Sequence, residues 1–163
     1  VAIQLGAGFA GGGVAAYVAE GVDKIASPHV NTDRNTLLAG FIVELLFSFF
    51  LVLTVLNVAT LERVRGNSYY GLAIGFVVLA GVATVADISG GVFNPAVGIS
   101  LPTITNDNTD DIWVYVIGPL LGAPAAAVVF MFWNMEPKTV WEKKHDSAPG
   151  NDTTNPLREN LLE

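Results

Sequence analysis

The chain alternates between long apolar runs and short polar segments. Apolar residues dominate four stretches, 1–20, 37–61, 69–86 and 112–133. At about 1.5 Å of rise per residue, a helix over any of the last three is long enough to cross the roughly 30 Å hydrocarbon core of a bilayer. The pattern therefore predicts three membrane helices, and it predicts that the first run is the back part of a further one.

The first run is rich in glycine and alanine, so it has two interpretations. Small residues such as Gly8 and Ala16 permit close packing of membrane helices. A flexible glycine-rich linker would have a similar composition, but Val14 and Tyr17 keep the run apolar and favour a helix. Because the chain begins at Val1, without Met and inside an apolar run, we expect an upstream part to be missing.

Composition favours an integral membrane protein. Hydrophobic residues make up 52% of the chain and charged residues 14%, against about a quarter charged in soluble domains. The net charge of −7 argues against a nucleic-acid partner. There is no cysteine, which excludes disulfides and thiolate chemistry. We predict no cofactor and no metal site, and membrane lipid as the surrounding medium.

The segment 87–101 interrupts the series of full-length helices. Asn is a favoured helix N-cap and Pro a favoured first helical residue, so Asn94-Pro95 predicts a helix start. Pro102 predicts the end of that helix about two turns later. A short helix that begins inside a bilayer leaves backbone N–H groups without partners, which is tolerated only against protein or a watery cavity. The segment therefore predicts a pore or a binding site near the bilayer midplane.

Glu44 is the one charged residue in the run 37–61. A carboxylate inside a membrane helix is costly and is by default functional or structural. A proton relay is the weaker interpretation, because no second carboxylate stands in register with Glu44. A membrane enzyme using Glu44 and Asp87 as acid and base is weaker still, since no histidine, metal cluster or nucleophile lies at membrane depth. We predict that the protein is not an enzyme.

The sequence resembles the aquaporin, or major intrinsic protein, family over residues 1–133. Ser89-Gly90-Gly91 followed by Asn94-Pro95-Ala96 is similar to the family's Asn-Pro-Ala signature. Residues 113–123 are similar to its last membrane helix, and Gln4-Leu5-Gly6-Ala7 to its third. Glu44 also fits the family pattern. The flanking helices identify this as the second Asn-Pro-Ala half of the family fold.

The resemblance implies an all-α membrane protein with an aquaporin-like helical bundle. The chain would supply one inverted repeat, made of three full transmembrane helices and a re-entrant half-helix, preceded by part of a further transmembrane helix. A second Asn-Pro-Ala half is absent from the sequence. By resemblance it would lie in the missing N-terminal part, and its half-helix would meet Asn94 head to head.

The resemblance also implies roles for individual residues. Asn94, Pro95 and Ala96 would line the pore, and Glu44 would order the re-entrant loop around Gly90 by accepting backbone hydrogen bonds. The positions of the narrow outer filter would be Val82, Gly91 and Val97. Most members have an arginine at the position of Val97, many water-selective members a histidine at that of Val82, and glycerol-conducting members an aspartate at that of Gly98. We therefore expect a wider and more apolar filter.

The leading functional prediction is a passive channel for water, with small uncharged solutes as further permeants. The alternative is a non-conducting membrane structural or junctional protein, in which Val82 and Val97 close or dewet the pore. The family forms homotetramers with one pore per subunit, and we expect the same here by analogy. Whether the protein occupies the plasma membrane or an internal membrane is left open by the sequence.

Charged residues between the helices predict the topology. Arg63 and Arg65 lie in the short loop 62–68, which the positive-inside rule assigns to the cytoplasm. The loops 21–35 and 102–111 would then lie outside. The channel domain would cover residues 1–133, and the polar tail 134–163 would be cytoplasmic and mostly disordered.

Two finer predictions concern the end of the helix 69–86 and the aromatic residues of the last helix. The helix 69–86 is expected to end before Asp87, whose carboxylate would cap or order the following loop. Trp113 and Tyr115 are expected to anchor one end of the last helix in the membrane interface, with Phe132 and Trp133 at the other end.

Overall fold

The computed structural model describes residues 2–134, which form five α-helices and no strand. The connections contain the 3₁₀ turns Val22–Lys24, Glu62–Val64 and Thr109–Asp111 and a π-helical turn over Leu56–Thr60. Apart from Asn134, the predicted tail lies outside the described residues, and the packing described below lies within residues 2–131. The helices are α1 (Ala2–Val18), α2 (Leu37–Val55), α3 (Tyr70–Ser89), α4 (Pro95–Thr105) and α5 (Ile112–Trp133).

Three segments are long and apolar enough to cross a membrane, as the sequence pattern predicts. They are Leu37–Thr60, Tyr70–Ser89 and Thr109–Trp133, with mean hydropathies of 2.4, 2.1 and 2.0. The first apolar run forms α1, a helix of 17 residues. The predicted all-α membrane fold is confirmed.

Helix α3 is longer than predicted and ends next to the half-helix. It continues through Asp87 to Ser89 and stops at Gly90, whose φ of 85° is left-handed and whose N–H donates to the Ala86 carbonyl at 2.9 Å. Glycine adopts this conformation without steric cost, so it ends a helix readily. Asp87 is therefore an exposed helical residue, and the expectation that it orders the loop is wrong because other side chains hold the loop amides.

The predicted end of α4 at Pro102 is also wrong. The helix runs for 11 residues, and Asn106 ends it in a left-handed conformation with its N–H donating to the Pro102 carbonyl. A proline inside a helix removes a single N–H donor. Here the Thr103 and Thr105 hydroxyls donate back to carbonyls of the preceding turn, at 2.6 and 2.9 Å. Helix α4 therefore continues past Pro102 with these hydroxyl bonds along its last turns and ends only at the left-handed Asn106.

Glycines allow the helices to approach backbone to backbone. A Cβ atom on Gly8 of α1 would lie 2.9 Å from the Ser100 Oγ and 3.0 Å from the Ala96 carbonyl of α4. On α5, a Cβ atom at Gly118 would lie 3.3 Å from the Leu45 backbone nitrogen of α2. Such close approach supplies much of the packing energy between helices in lipid. These contacts seat α4 against α1 and α5 against α2.

The connection between α1 and α2 packs against the ends of three other elements. The Val30 N–H donates to an Asp111 carboxylate oxygen at 2.8 Å, and the Asn31 N–H donates to the Ile88 carbonyl at 2.9 Å. The Ser27 hydroxyl donates to the Asp107 carbonyl at 3.1 Å. The loops 21–35 and 102–111 therefore lie at the same end of the helices.

Candidate functional site

The Glu44 carboxylate is the centre of a hydrogen-bond network at the end of α3. It is completely buried. Its Oε1 accepts from the Ser89 hydroxyl at 2.7 Å and from the Val92 N–H at 2.9 Å, and its Oε2 accepts from the Phe93 N–H at 2.7 Å. One side chain of α2 therefore binds three donors at the turn between α3 and α4.

Ser89 and Tyr115 complete this network, and sequence reasoning missed both roles. The Ser89 Oγ also accepts from the Gly91 N–H at 3.2 Å, while the Tyr115 hydroxyl donates to the Ser89 carbonyl at 2.7 Å. Tyr115 is 0% exposed, so its predicted place in an interfacial aromatic belt is wrong. Trp113, two positions earlier on α5, is 45% exposed and stacks on Phe41. Side chains two positions apart on an α-helix point in nearly opposite directions. Trp113 therefore faces outwards while Tyr115 faces the network.

The turn that this network holds has an unusual backbone. Gly90, Gly91 and Phe93 have φ angles of 85°, 65° and 50°. Glycine tolerates a positive φ, but a phenylalanine there is strained. The backbone amides of such a turn have no regular secondary-structure partners, so the carboxylate and the Ser89 hydroxyl act as their acceptors. The turn brings the chain from the end of α3 to the start of α4.

Asn94 and Pro95 begin α4 as predicted from their residue types. Asn94 is extended, with φ −147° and ψ 112°, and its Oδ1 accepts from the Ala96 N–H at 3.0 Å. Pro95 is the first helical residue. Asn94 is exposed and Ala96 buried. Because the capping oxygen is engaged and no acceptor among residues 2–134 binds the Nδ2 hydrogens, the amide can donate to a further oxygen atom.

Two of the three predicted filter positions lie in contact. A Cβ atom on Gly91 would lie 3.1 Å from the Val82 Cα and 3.4 Å from its Cγ2. Val82 is exposed on α3, while Val97 lies half-buried on the first turn of α4. The three positions thus contribute two valine side chains and one bare backbone, with no charged group.

The position of Gly98 leaves no space for a side chain. A Cβ atom there would overlap the Cβ of Tyr115. Since Tyr115 is fully buried and hydrogen-bonded to Ser89, an aspartate at this position would displace part of the network. The sequence pattern of glycerol-conducting family members is therefore sterically incompatible with this packing.

An apolar cavity of about 360 Å³ lies beside Asn94. Residues of α1, the turn, α4 and α5 line it: Gln4, Leu5, Phe93, Asn94, Pro95, Ala96, Ile99, Val116 and Leu120. Most of these side chains are apolar, and Gln4 and Asn94 supply the polar groups. In the described residues, no cluster of three histidine or acidic side chains is arranged to hold a metal ion. The site is built to present amide groups next to apolar walls.

Replacing Tyr115 by phenylalanine tests the outer part of the network. The ring volume is nearly conserved, but the Ser89 carbonyl loses its donor in a buried site. We expect the free energy of unfolding in detergent to fall by about 1–2 kcal/mol. The matched control is Tyr70→Phe, because Tyr70 is 53% exposed and lies at the opposite end of α3 from Ser89. Equal stability of the two variants would contradict a structural role for the Tyr115 hydroxyl.

Comparison with known proteins places residues 1–130 within the model of a family described as major intrinsic protein. The relatives include Aquaporin NIP1-1 of Zea mays, 36% identical over 88 residues, which are 54% of this chain and 30% of that protein. Nodulin-26 of Glycine max is 33% identical over 97 residues, 60% of this chain and 35% of that protein. Aquaporin NIP1-2 of Arabidopsis thaliana is 31% identical over 93 residues, 57% of this chain and 31% of that protein. The chain thus spans about a third of the length of these curated relatives.

Proposed function

This chain belongs to the major intrinsic protein family, and we propose that it forms the pore-lining part of a passive channel for water and small uncharged solutes. Its three apolar spans make it an integral, multi-pass membrane protein. The observation that carries the proposal is Asn94 at the start of α4, with its oxygen engaged in capping and its amide hydrogens available. Two of the relatives are named aquaporins and one nodulin-26. The name aquaporin supports water as a permeant.

The start of α4 has the chemistry that a neutral permeant needs. The Asn94 amide would donate to the oxygen of a passing molecule, and so replace part of its hydration. The N-terminus of α4 carries a partial positive charge, which disfavours cations beside Asn94. Glu44 is buried behind the turn and engaged with three donors. The expected result is passage of neutral molecules without cations.

The filter positions favour more than water alone. Val82, Gly91 and Val97 present no charge and no side-chain donor at the outer constriction. An arginine at Val97 would add a fixed positive charge and several donors, and would narrow the opening. Its absence supports permeation of uncharged solutes larger than water, such as urea. Gly98, which has no room for an aspartate, gives no support to the pattern of glycerol-conducting members.

The finer features of the assembly are also proposals. A complete pore of this type requires a second half-helix from a related inverted repeat, meeting Asn94 from the other side. The loop with Arg63 and Arg65 would face the cytoplasm, together with the C-terminus. The linked loops 21–35 and 102–111 would face outwards, and their mutual hydrogen bonds support a common side. A homotetramer with one pore per subunit follows by analogy with the family.

Replacing Val97 by arginine tests the filter. In proteoliposomes of the full-length protein, we expect the permeability to urea to fall about fivefold or more while water permeability changes less than about threefold, because charge and bulk exclude the larger solute first. The measurement is stopped-flow light scattering, with shrinkage in an impermeant osmolyte and reswelling in urea. Val22→Arg, in the exposed turn after α1, is the matched control.

The same experiment separates the channel from the alternative of a non-conducting structural protein. Shrinkage of wild-type vesicles no faster than that of empty liposomes, with the protein shown to be folded, would favour the structural role. Unchanged urea permeability in Val97→Arg would instead leave the channel intact and remove Val97 from its filter.

A further inference from the structure

We propose that Phe93 is a positioning residue that sets the width of the constriction at Val82 and Gly91 through the packing of its ring between α2 and α3, and thereby selects among uncharged solutes. This inference rests on the proposed channel function. It concerns a side chain that the Asn-Pro-Ala motif does not include, and to which sequence reasoning gave no role. Phe93 directly precedes Asn94 and belongs to the strained turn.

The Phe93 ring fills the space between α2 and α3. The residue is 6% exposed, and its ring stacks on that of Phe47, with centroids 5.3 Å apart and planes inclined by 30°. Gly81 of α3 makes room for both rings. A Cβ atom on Gly81 would lie 2.6 Å from the Phe93 Cε2 and 2.8 Å from the Phe47 Cδ1. The ring is therefore confined between Phe47 and the backbone of α3 at Gly81.

The same ring touches the filter position on the turn. A Cβ atom on Gly91 would lie 3.4 Å from the Phe93 Cζ, and also 3.4 Å from the Val82 Cγ2. Gly91 therefore lies against the ring and against Val82 at once. Val82 also follows Gly81 directly in α3, so the ring packs beside one filter position and one residue away from the other. Because close-packed groups transmit changes of volume, the size of this ring sets the spacing between the turn and α3.

The backbone ties the ring to the pore-lining amide. Phe93 has a φ of 50°, and its N–H donates to Glu44 at 2.7 Å. A bulky residue at positive φ is strained and persists when its surroundings hold it in place. Glu44 fixes the turn along its hydrogen bonds, while the Phe93 ring fixes it laterally against Phe47 and Gly81. Any shift of the ring therefore moves Gly91 on one side and Asn94 on the other.

The direction of the effect follows from this packing. A smaller side chain at position 93 lets the turn settle towards α2, which opens the constriction between Gly91 and Val82. A smaller side chain at Phe47 lets the Phe93 ring retreat and has the same effect. A methyl group at Gly81 pushes the ring outwards and has the opposite effect. The first two changes are therefore expected to widen the constriction, and the third is expected to narrow it.

The test measures the ratio of urea to water permeability in proteoliposomes of the full-length protein, at matched amounts of folded protein. We expect Phe93→Leu and Phe47→Leu each to raise the ratio about threefold or more, because larger solutes gain most from a wider constriction. Gly81→Ala should lower it. The matched control is Phe76→Leu on α3, since Phe76 is 59% exposed and lies outside the ring cluster; its ratio should equal that of the wild type. If Phe93→Leu does not reach the membrane folded, Phe93→Met is measured instead and should raise the ratio in the same direction.

A ratio unchanged in both the Phe93 and Phe47 variants, in a conducting wild-type background, would overturn the proposal. So would parallel losses of water and urea permeability, because a merely structural role predicts fewer working channels with unaltered selectivity. A wild type that conducts neither water nor urea would instead refute the proposed function, and this inference with it. The two failures are distinguished by the wild-type measurement alone.

Discussion

Replacing Glu44 by alanine is expected to lower the free energy of unfolding by about 3–5 kcal/mol, because it leaves three buried donors without their acceptor. These donors are the Ser89 hydroxyl and the N–H groups of Val92 and Phe93, all within 2.9 Å of the carboxylate. The turn that they hold contains the strained Phe93 backbone, whose N–H donates to this carboxylate. We expect loss of the turn to abolish permeability as well.

Glu44→Gln separates the acceptor role from the charge. Glutamine keeps one carbonyl oxygen but places an amide group against the remaining donors, so about half of the stability loss is expected. Denaturant unfolding in lipid–detergent micelles measures the effect. The control is Glu62→Ala, whose exposed ion pair with Arg65 at 2.9 Å contributes at most about 1 kcal/mol. Equal stability of the Glu44 and Glu62 alanine variants would show that the network does not support the fold.

Replacing Asn94 by aspartate should strongly reduce water conduction while leaving the fold intact. Aspartate is as good an N-cap as asparagine, and its charge interacts favourably with the helix N-terminus. The carboxylate, however, has no hydrogen to donate to a permeant oxygen, and it attracts cations to the start of α4. We expect osmotic water permeability to fall about tenfold or more, since the donor that replaces part of the permeant's hydration is lost.

The Asn94 variant needs a control for charge and one for folding. Asn35→Asp introduces the same charge in the connection before α2 and should leave permeability unchanged. Denaturant unfolding should show a change of less than about 0.5 kcal/mol for Asn94→Asp, because the cap is retained. Wild-type permeability in a folded Asn94→Asp protein would exclude Asn94 from the permeation path.

The membrane spans and the start of the half-helix could be predicted from the sequence because hydrophobic runs and strong cap residues depend on local chemistry. Three spans and the start of α4 at Asn94-Pro95 follow from run length and from the N-cap preference. Pro102 misled the prediction of the end of α4, because a proline removes one donor without stopping the turns around it.

The support of the turn was only partly predictable. A lone carboxylate in an apolar run marks Glu44 for attention, since its burial requires partners. Tyr115 carries no such mark, because an aromatic near a helix end suits both an interface and a buried hydrogen bond, and only the direction of its side chain separates them. The positive φ of Phe93 accompanies contacts of its ring with Phe47 and Gly81, which are remote in sequence, so no local pattern marks it.

The temperature dependence of osmotic water permeability tests the central claim most directly. Stopped-flow shrinkage of proteoliposomes would be recorded over a range of temperatures, with empty liposomes of the same lipid beside them. A pore beside Asn94 predicts faster shrinkage and a lower activation energy than diffusion through lipid. Folded protein whose vesicles match empty liposomes in both rate and activation energy would contradict the channel account.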